Sequence, residues 1–141
     1  MPEQLTIIDR LDQLTDFACA AAAVFLRYSR GPDADQHEAS RDYESGLALP
    51  GLSVVPLTPP DWWRRPAADW LARQVCKYAR LAEGDRDRYA WLLTGRVVGR
   101  GPDDEPLLAD PRPLAVLSDA LVEQARRHYH ERFEVGRDSR G

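Results

Sequence analysis

Apolar positions along the chain change period several times, and those changes divide it into elements. Leu11, Leu14, Ala18 and Ala21 recur at helical spacing and define one apolar face, so a first helix is predicted over Thr6 to Ala22. Thr6 with Asp9 has the form of a capping box in which Asp replaces the usual Glu or Gln. Val24-Phe25-Leu26 then reads as a strand that ends near Ser29 and is stopped by Gly31-Pro32. From Asp33 to Gly46 the chain is polar and acidic without periodicity, which predicts a long surface loop.

"LPGLSVVPL", Leu49 to Leu57, is a short strand bracketed by prolines, and Pro59-Pro60 lead into Trp62-Trp63. A second helix starts near Pro66, where proline suits the first turn. Its apolar face is Leu71, Val75, Tyr78 and Ala82, and Gly84 ends it. Tyr89 to Val98 alternates and is rich in β-branched residues, a longer strand bent at Gly95. Two further short strands are expected, over Glu105–Leu108 and Pro113–Leu117. Ser118 then caps a last helix with Leu121, Ala125, Tyr129 and Phe133 on its apolar side. The order of elements predicts an α+β fold: a small, mainly antiparallel sheet packed by about three helices. One domain is expected over 1–135, with a frayed tail at 136–141.

Length and charge narrow the function classes. A chain of 141 residues can bury a core without disulfide or metal staples. Its formal net charge of −4 argues against sequence-independent nucleic-acid binding. No segment approaches the roughly 18 apolar residues that a membrane-spanning helix needs. The richest run, Ala18 to Leu26, follows acidic residues and lacks the basic start of a signal peptide. A soluble, cytoplasmic protein is the expectation. Cys19 and Cys76 fall in helical segments without ligand spacing and read as buried free thiols of a reducing compartment.

No metal site is expected. His128 and His130 stand two apart on a helix, so their side chains diverge by about 200°. His37 with Asp33, Asp35 and Glu38 has no recognised ligand spacing. Glycine-rich phosphate loops and a Gly-x-Ser-x-Gly elbow are both missing from the sequence.

Three places hold candidate chemistry. In "FLRYSRGP", Arg27 and Ser29 share one strand face while Tyr28 takes the other. An Arg at a strand end can grip phosphate or carboxylate through paired donors, or it can neutralise a nearby acid. Ser53 in "GLSV" can orient a ligand hydroxyl or simply face solvent. In "GPDDEPLL", Glu105 opens an apolar strand directly after Asp103 and Asp104, at a sheet lip or in an ordinary acidic turn. Of the tryptophans, Trp70 and Trp91 lie in regular elements and suit the core, whereas Trp62 and Trp63 lie in a loop and require packing or a partner.

At "LRYSRGP", "SRDYESGLALPGLSVVPL", "WLARQVCKYARL" and "LTGRVVGRGPDDEPLL" the chain resembles an actinobacterial family of domains of unknown function, from about Leu11 to Tyr129. That resemblance implies no activity. In the order of its elements the chain also resembles small ADP-ribosyltransferase-like domains, with Arg27, Ser53 and Glu105 on successive strands. This second resemblance implies an NAD site: Arg27 holding the dinucleotide, Ser53 buttressing it, and Glu105 as the catalytic residue fixing a ribose hydroxyl. The implied reaction cleaves the nicotinamide–ribose bond through an oxocarbenium-like state that the carboxylate stabilises. The chain departs from that pattern at Leu52-Ser53-Val54, where one branch has Ser-Thr-Ser, at Asp103, and at Pro106 directly after the glutamate.

Two hypotheses follow. In the first, an enzyme or degenerate enzyme binds a nucleotide such as NAD with Arg27, Ser29, Ser53 and Glu105, while Tyr28, Tyr43 or Trp62 stacks a ring. In the second, a non-catalytic interaction or regulatory module uses the acidic loop 33–46 and the Trp62-Trp63 turn to meet a protein partner. A homodimer through the last helix is one form of the second.

Overall fold

The structure is a computed structural model that describes residues 5–20, 23–37, 40, 44–79 and 87–133. In chain order the elements are β1 (Thr6–Ile8), α1 (Leu11–Ala20), β2 (Phe25–Ser29), α2 (Pro32–His37), β3 (Leu52–Ser53), β4 (Val55–Pro56), α3 (Ala67–Tyr78), β5 (Tyr89–Arg100), β6 (Pro106–Leu117) and α4 (Asp119–Arg132). Strand order is β1-β6-β5-β2-β4, with β3 also paired to β6. The β1–β6 pair is parallel and all the others are antiparallel. The α+β class read from the sequence is the observed one.

One short segment spans both margins of the sheet. Leu52 and Ser53 pair with Leu108 and Leu107 of β6, and three residues later Val55 and Pro56 pair with Leu26 and Phe25 of β2. Val54 donates to the carbonyl of Pro106 (3.2 Å), and Leu57 donates to that of Val24 (3.0 Å). The segment therefore closes β2, β5 and β6 into a small ring at one end of the sheet. Closure removes edges that would otherwise leave backbone groups unpaired.

Side-chain alternation along β2 and β5 creates two cores. Leu26, Tyr28, Ala90 and Leu92 face the helices and join Leu14, Leu71, Val75, Leu121 and Ala125 in the larger cluster. Phe25, Trp91 and Leu93 face the other way, packing with Leu52, Val54 and Leu108 inside the ring. Helix α3 contributes Leu71 and Val75 as its spacing predicted. Helix α4 is capped by Ser118, whose hydroxyl accepts from the N–H of Leu121 (3.1 Å).

The elements differ from expectation in four places. Thr6–Ile8 is a strand, because its backbone completes the outer margin of β6, and α1 begins only at Leu11. The capping box at Thr6 and Asp9 therefore does not form; Leu11 donates instead to the side-chain carbonyl of Gln124 on α4 (2.7 Å). Part of the expected acidic loop is the short helix α2. Pro106–Leu117 is one strand rather than two, kept continuous by register shifts against β5 that absorb Asp110-Pro111. Cys19 is exposed, not buried, while Cys76 is partly buried against the larger core. Ala21, Ala82, Gly84 and the tail at 136–141 lie outside the described residues.

Two predictions come from this packing. Leu92→Ala, at a fully buried position between the sheet and the helices, should cost about 2–5 kcal/mol in denaturant unfolding. Burial pushes the Cys76 thiol up from 9.0 to about 11 and pushes the Tyr28 hydroxyl up as well. The folded protein thus holds these protons more tightly than the unfolded chain. That stability is fully present below about pH 9 and is lost as pH rises through about 11. The thermal midpoint should fall across this window, and Cys76→Ala should reduce the fall; an identical slope in the variant would contradict the linkage.

Candidate functional site

The structure brings Arg27, Ser53 and Glu105 together, and it shows what each one binds. Arg27 projects from the ring face of β2. Its Nε donates to Asp35 Oδ2 (2.7 Å) and its Nη2 to Asp35 Oδ1 (3.3 Å), a fork-to-fork contact with α2. Its Nη1 donates to the backbone carbonyl of Ser53 (2.7 Å). The side chains of this ion pair are only 18% and 9% exposed.

Ser29, two residues along on the same face, donates from its hydroxyl to Asp35 Oδ2 (2.7 Å). That hydroxyl in turn accepts from the indole N–H of Trp91 (2.9 Å) and from the backbone N–H of Gly31 (3.1 Å). Gly31 has φ +111° and lies against the Tyr89 hydroxyl, so neither its backbone nor its surroundings admits a side chain. Asp35 is the hub. One carboxylate on a six-residue helix fixes an arginine and a serine, and through that serine a buried tryptophan.

Glu105 closes the other end. Its Oε2 accepts from the Ser53 hydroxyl (2.8 Å), and its Oε1 accepts from the backbone N–H of Asp103 (3.0 Å). The carboxylate folds over Gly101, occupying the place where a Cβ would stand. Asp104 in this turn has φ 63°, a left-handed conformation that Asp tolerates better than most residues. The acidic turn weighed from the sequence is present, and Glu105 ties it to β3. The N–H of Ser53 donates to Ser40 Oγ (3.0 Å), so both backbone polar groups and the hydroxyl of Ser53 are engaged.

At the Asp35 end of this network a cavity of about 10 Å³ is lined by Pro32, Asp35, Trp91, Pro111 and Pro113. That is space for about one water molecule. Two of the three residues expected to stack a nucleotide ring, Tyr28 and Trp62, are elsewhere. Tyr28 faces the helices, where its hydroxyl donates to the carbonyl of Val75 (2.8 Å). Strand alternation puts it on the side of the sheet opposite Arg27. Trp62 packs edge-on against Trp63 and Trp70, on the helix side. Tyr43 lies outside the described residues.

The second cluster is aromatic. Trp62, Trp63 and Trp70 meet in edge-to-face contacts with centroids 5.1–6.3 Å apart. Trp63 continues to Phe133, which stacks on Tyr129 (4.7 Å). Trp70 is buried, while Trp62 is 68% exposed. Underneath, Asp69 is only 2% exposed and accepts from Arg65 Nε (3.1 Å), while His128 Nε2 lies 2.7 Å from its other oxygen. The Arg65 guanidinium lies over the Phe133 ring (4.2 Å) and donates to the carbonyl of Arg132 (2.7 Å). The start of α3 is thereby fastened to the end of α4.

Sequence reasoning missed both carboxylate hubs. Asp35 was one acid among several in a segment without periodicity. The Asp69–His128 contact joins residues 59 apart, and only the i,i+4 spacing of Arg65 and Asp69 offered a signal. Through this contact His128, near the end of α4, has a specific acidic partner on α3. Among the described residues no cluster of three or more potential metal ligands occurs, and no helix is long and apolar enough to cross a membrane.

These features define a mixed α+β domain with a polar network engaged on itself and an aromatic cluster open to solvent. The chain belongs to the family of unknown function DUF6098, whose profile matches residues 1–140. No curated protein and no solved structure matches it.

Removing Asp35 tests the hub. Asp35→Ala strands a largely buried guanidinium and should cost about 3 kcal/mol, near the lower end of the range for broken buried pairs because Arg27 keeps some exposure. Ser53→Ala removes one hydrogen bond from Glu105 and should cost about 1–2 kcal/mol. Equal, negligible losses in urea unfolding would mean that the network carries no stability.

Proposed function

We propose that this protein is a non-catalytic interaction module whose contact surface is the Trp62 cluster. The observation that carries the reading is the 68% exposure of Trp62 at the rim of a packed aromatic trio. A large indole left in water beside other rings forgoes burial that a partner can supply, and such residues are enriched at binding hot spots. The alternative use of the same residues, a wholly buried pair of tryptophans, is not what Trp62 adopts. The acidic segment from Asp33 onward belongs to this reading only as far as α2, where Asp33 is exposed but Asp35 is turned inward.

A second reading keeps the nucleotide. It draws support from the hydrogen bonds that link Arg27, Ser53 and Glu105, three residues remote in sequence. It requires Asp35 to release Arg27 and Glu105 to release Ser53, because these groups are engaged with one another and with the backbone. An NAD-binding, ADP-ribosyltransferase-like site with Glu105 as catalytic residue therefore rests on a rearranged ring.

Photocrosslinking tests the first reading in cells. With benzoylphenylalanine in place of Trp62, irradiation should give discrete adducts larger than the 15.9 kDa chain. The same group in place of the exposed Asp12 on α1 should not give them. No adduct, or the same adducts from both positions, counts against the surface. For the second reading, NAD titrated against the full chain should perturb the indole N–H resonance of Trp91, which reports on Asp35 through Ser29. An unmoved Trp91 signal at millimolar NAD rejects it.

A further inference from the structure

Guanidiniums border the aromatic cluster although the whole chain carries −4: two lie over its rings, and a third, Arg64, directly follows Trp63 in the chain. Arg64 is exposed and uses Nη1 to hold the carbonyl of Asp61 (2.8 Å). Arg65 lies over Phe133, and Arg73 lies 5.1 Å from the Trp70 ring centroid. Each guanidinium has five N–H donors, and the hydrogen bonds described here use one or two of them. Asp69 is buried under Arg65 and His128 and presents no carboxylate to solvent, whereas Asp61 is exposed.

One further group lacks a partner. The indole N–H of Trp70 is buried and has no hydrogen-bond acceptor among the described residues. A buried donor without an acceptor carries its full desolvation penalty.

Resting on the reading of this surface as a docking site, we propose that its partner is an extended protein segment carrying Asp or Glu beside proline. The proline ring lies on Trp62, and the carboxylates meet Arg64 and Arg73. Charge complementarity selects the acids, because a basic segment would set its cations against these guanidiniums. An exposed aromatic face selects an apolar ring that needs little ordering, which proline in extended conformation supplies. A nucleic acid fits less well, since the single exposed indole offers one stacking position rather than a row.

The test uses the full ¹⁵N-labelled chain and three probes: a Glu-Pro repeat peptide, the Gln-Pro peptide of equal length, and oligothymidylate. The Glu-Pro peptide should shift the indole N–H resonances of Trp62 and Trp70 while leaving Trp91, held inside the ring, in place. Its affinity should fall about tenfold or more towards 0.5 M salt. Arg64→Glu with Arg73→Glu should weaken it about as much, and Trp62→Ala should abolish it. An unshifted Trp91 resonance certifies that each variant is folded. Equal binding of the Gln-Pro peptide, still lost in Trp62→Ala, overturns the acidic partner while the docking surface stands. Tighter binding of oligothymidylate overturns the protein partner. If no probe moves Trp62 or Trp70, the partner class is wrong, and photocrosslinking at position 62 then decides the surface independently.

Discussion

Five residues, Leu52 to Pro56, must satisfy two sheet margins at once, and the rest of the ring depends on how they do it. Ser53 is the pivot. Its N–H is taken by Ser40, its carbonyl by Arg27 and its hydroxyl by Glu105. A backbone that changes partner strands within three residues cannot pair continuously, so side chains complete what the ladders leave open. Arg27 suits this role because its fork serves a carbonyl and a carboxylate together. The carboxylate is Asp35, and it brings α2 onto the ring face.

This constraint changes the meaning of the three residues that seemed to outline a ligand site. A guanidinium, a hydroxyl and a carboxylate do converge. Their donors and acceptors are directed at one another, at the backbone and at α2. Ligand sites are concave, with a few polar groups aimed into open space. Convergence of polar side chains is expected of any buried network that must be fully satisfied. The opposite side of the molecule has the complementary character: at Trp62 a large apolar surface is left unsatisfied, next to cations with spare donors.

Much of the fold was legible because its elements rest on local periodicity. Leu71 and Val75 on α3, Leu121 and Ala125 on α4, and the alternation of Tyr89 to Leu93 all lie where their spacing placed them. Thr6–Ile8 was illegible for a physical reason: three residues become a strand only because β6 offers an open margin, a tertiary fact without local signature. The long β6 was hidden by Pro111 and Pro113, which the register shifts accommodate. For the site, the sequence supplied the order Arg27, Ser53, Glu105 and the face shared by Arg27 and Ser29. Their partners Asp35 and Ser40 could not be read, since hydrogen-bond pairing across 6 to 13 residues leaves no periodic trace.

Hydrogen exchange at the indole N–H of Trp91 tests the central claim, that the ring network is an internal closure, most directly. Trp91 is 1% exposed and its N–H is held by Ser29 beneath Asp35. If the closure is part of the folded core, this proton exchanges only by global opening, with the same protection as the amides of Leu92 and Leu93 and the same loss in denaturant. Exchange that is orders of magnitude faster and indifferent to denaturant would show that α2 lifts away readily, and would contradict the account.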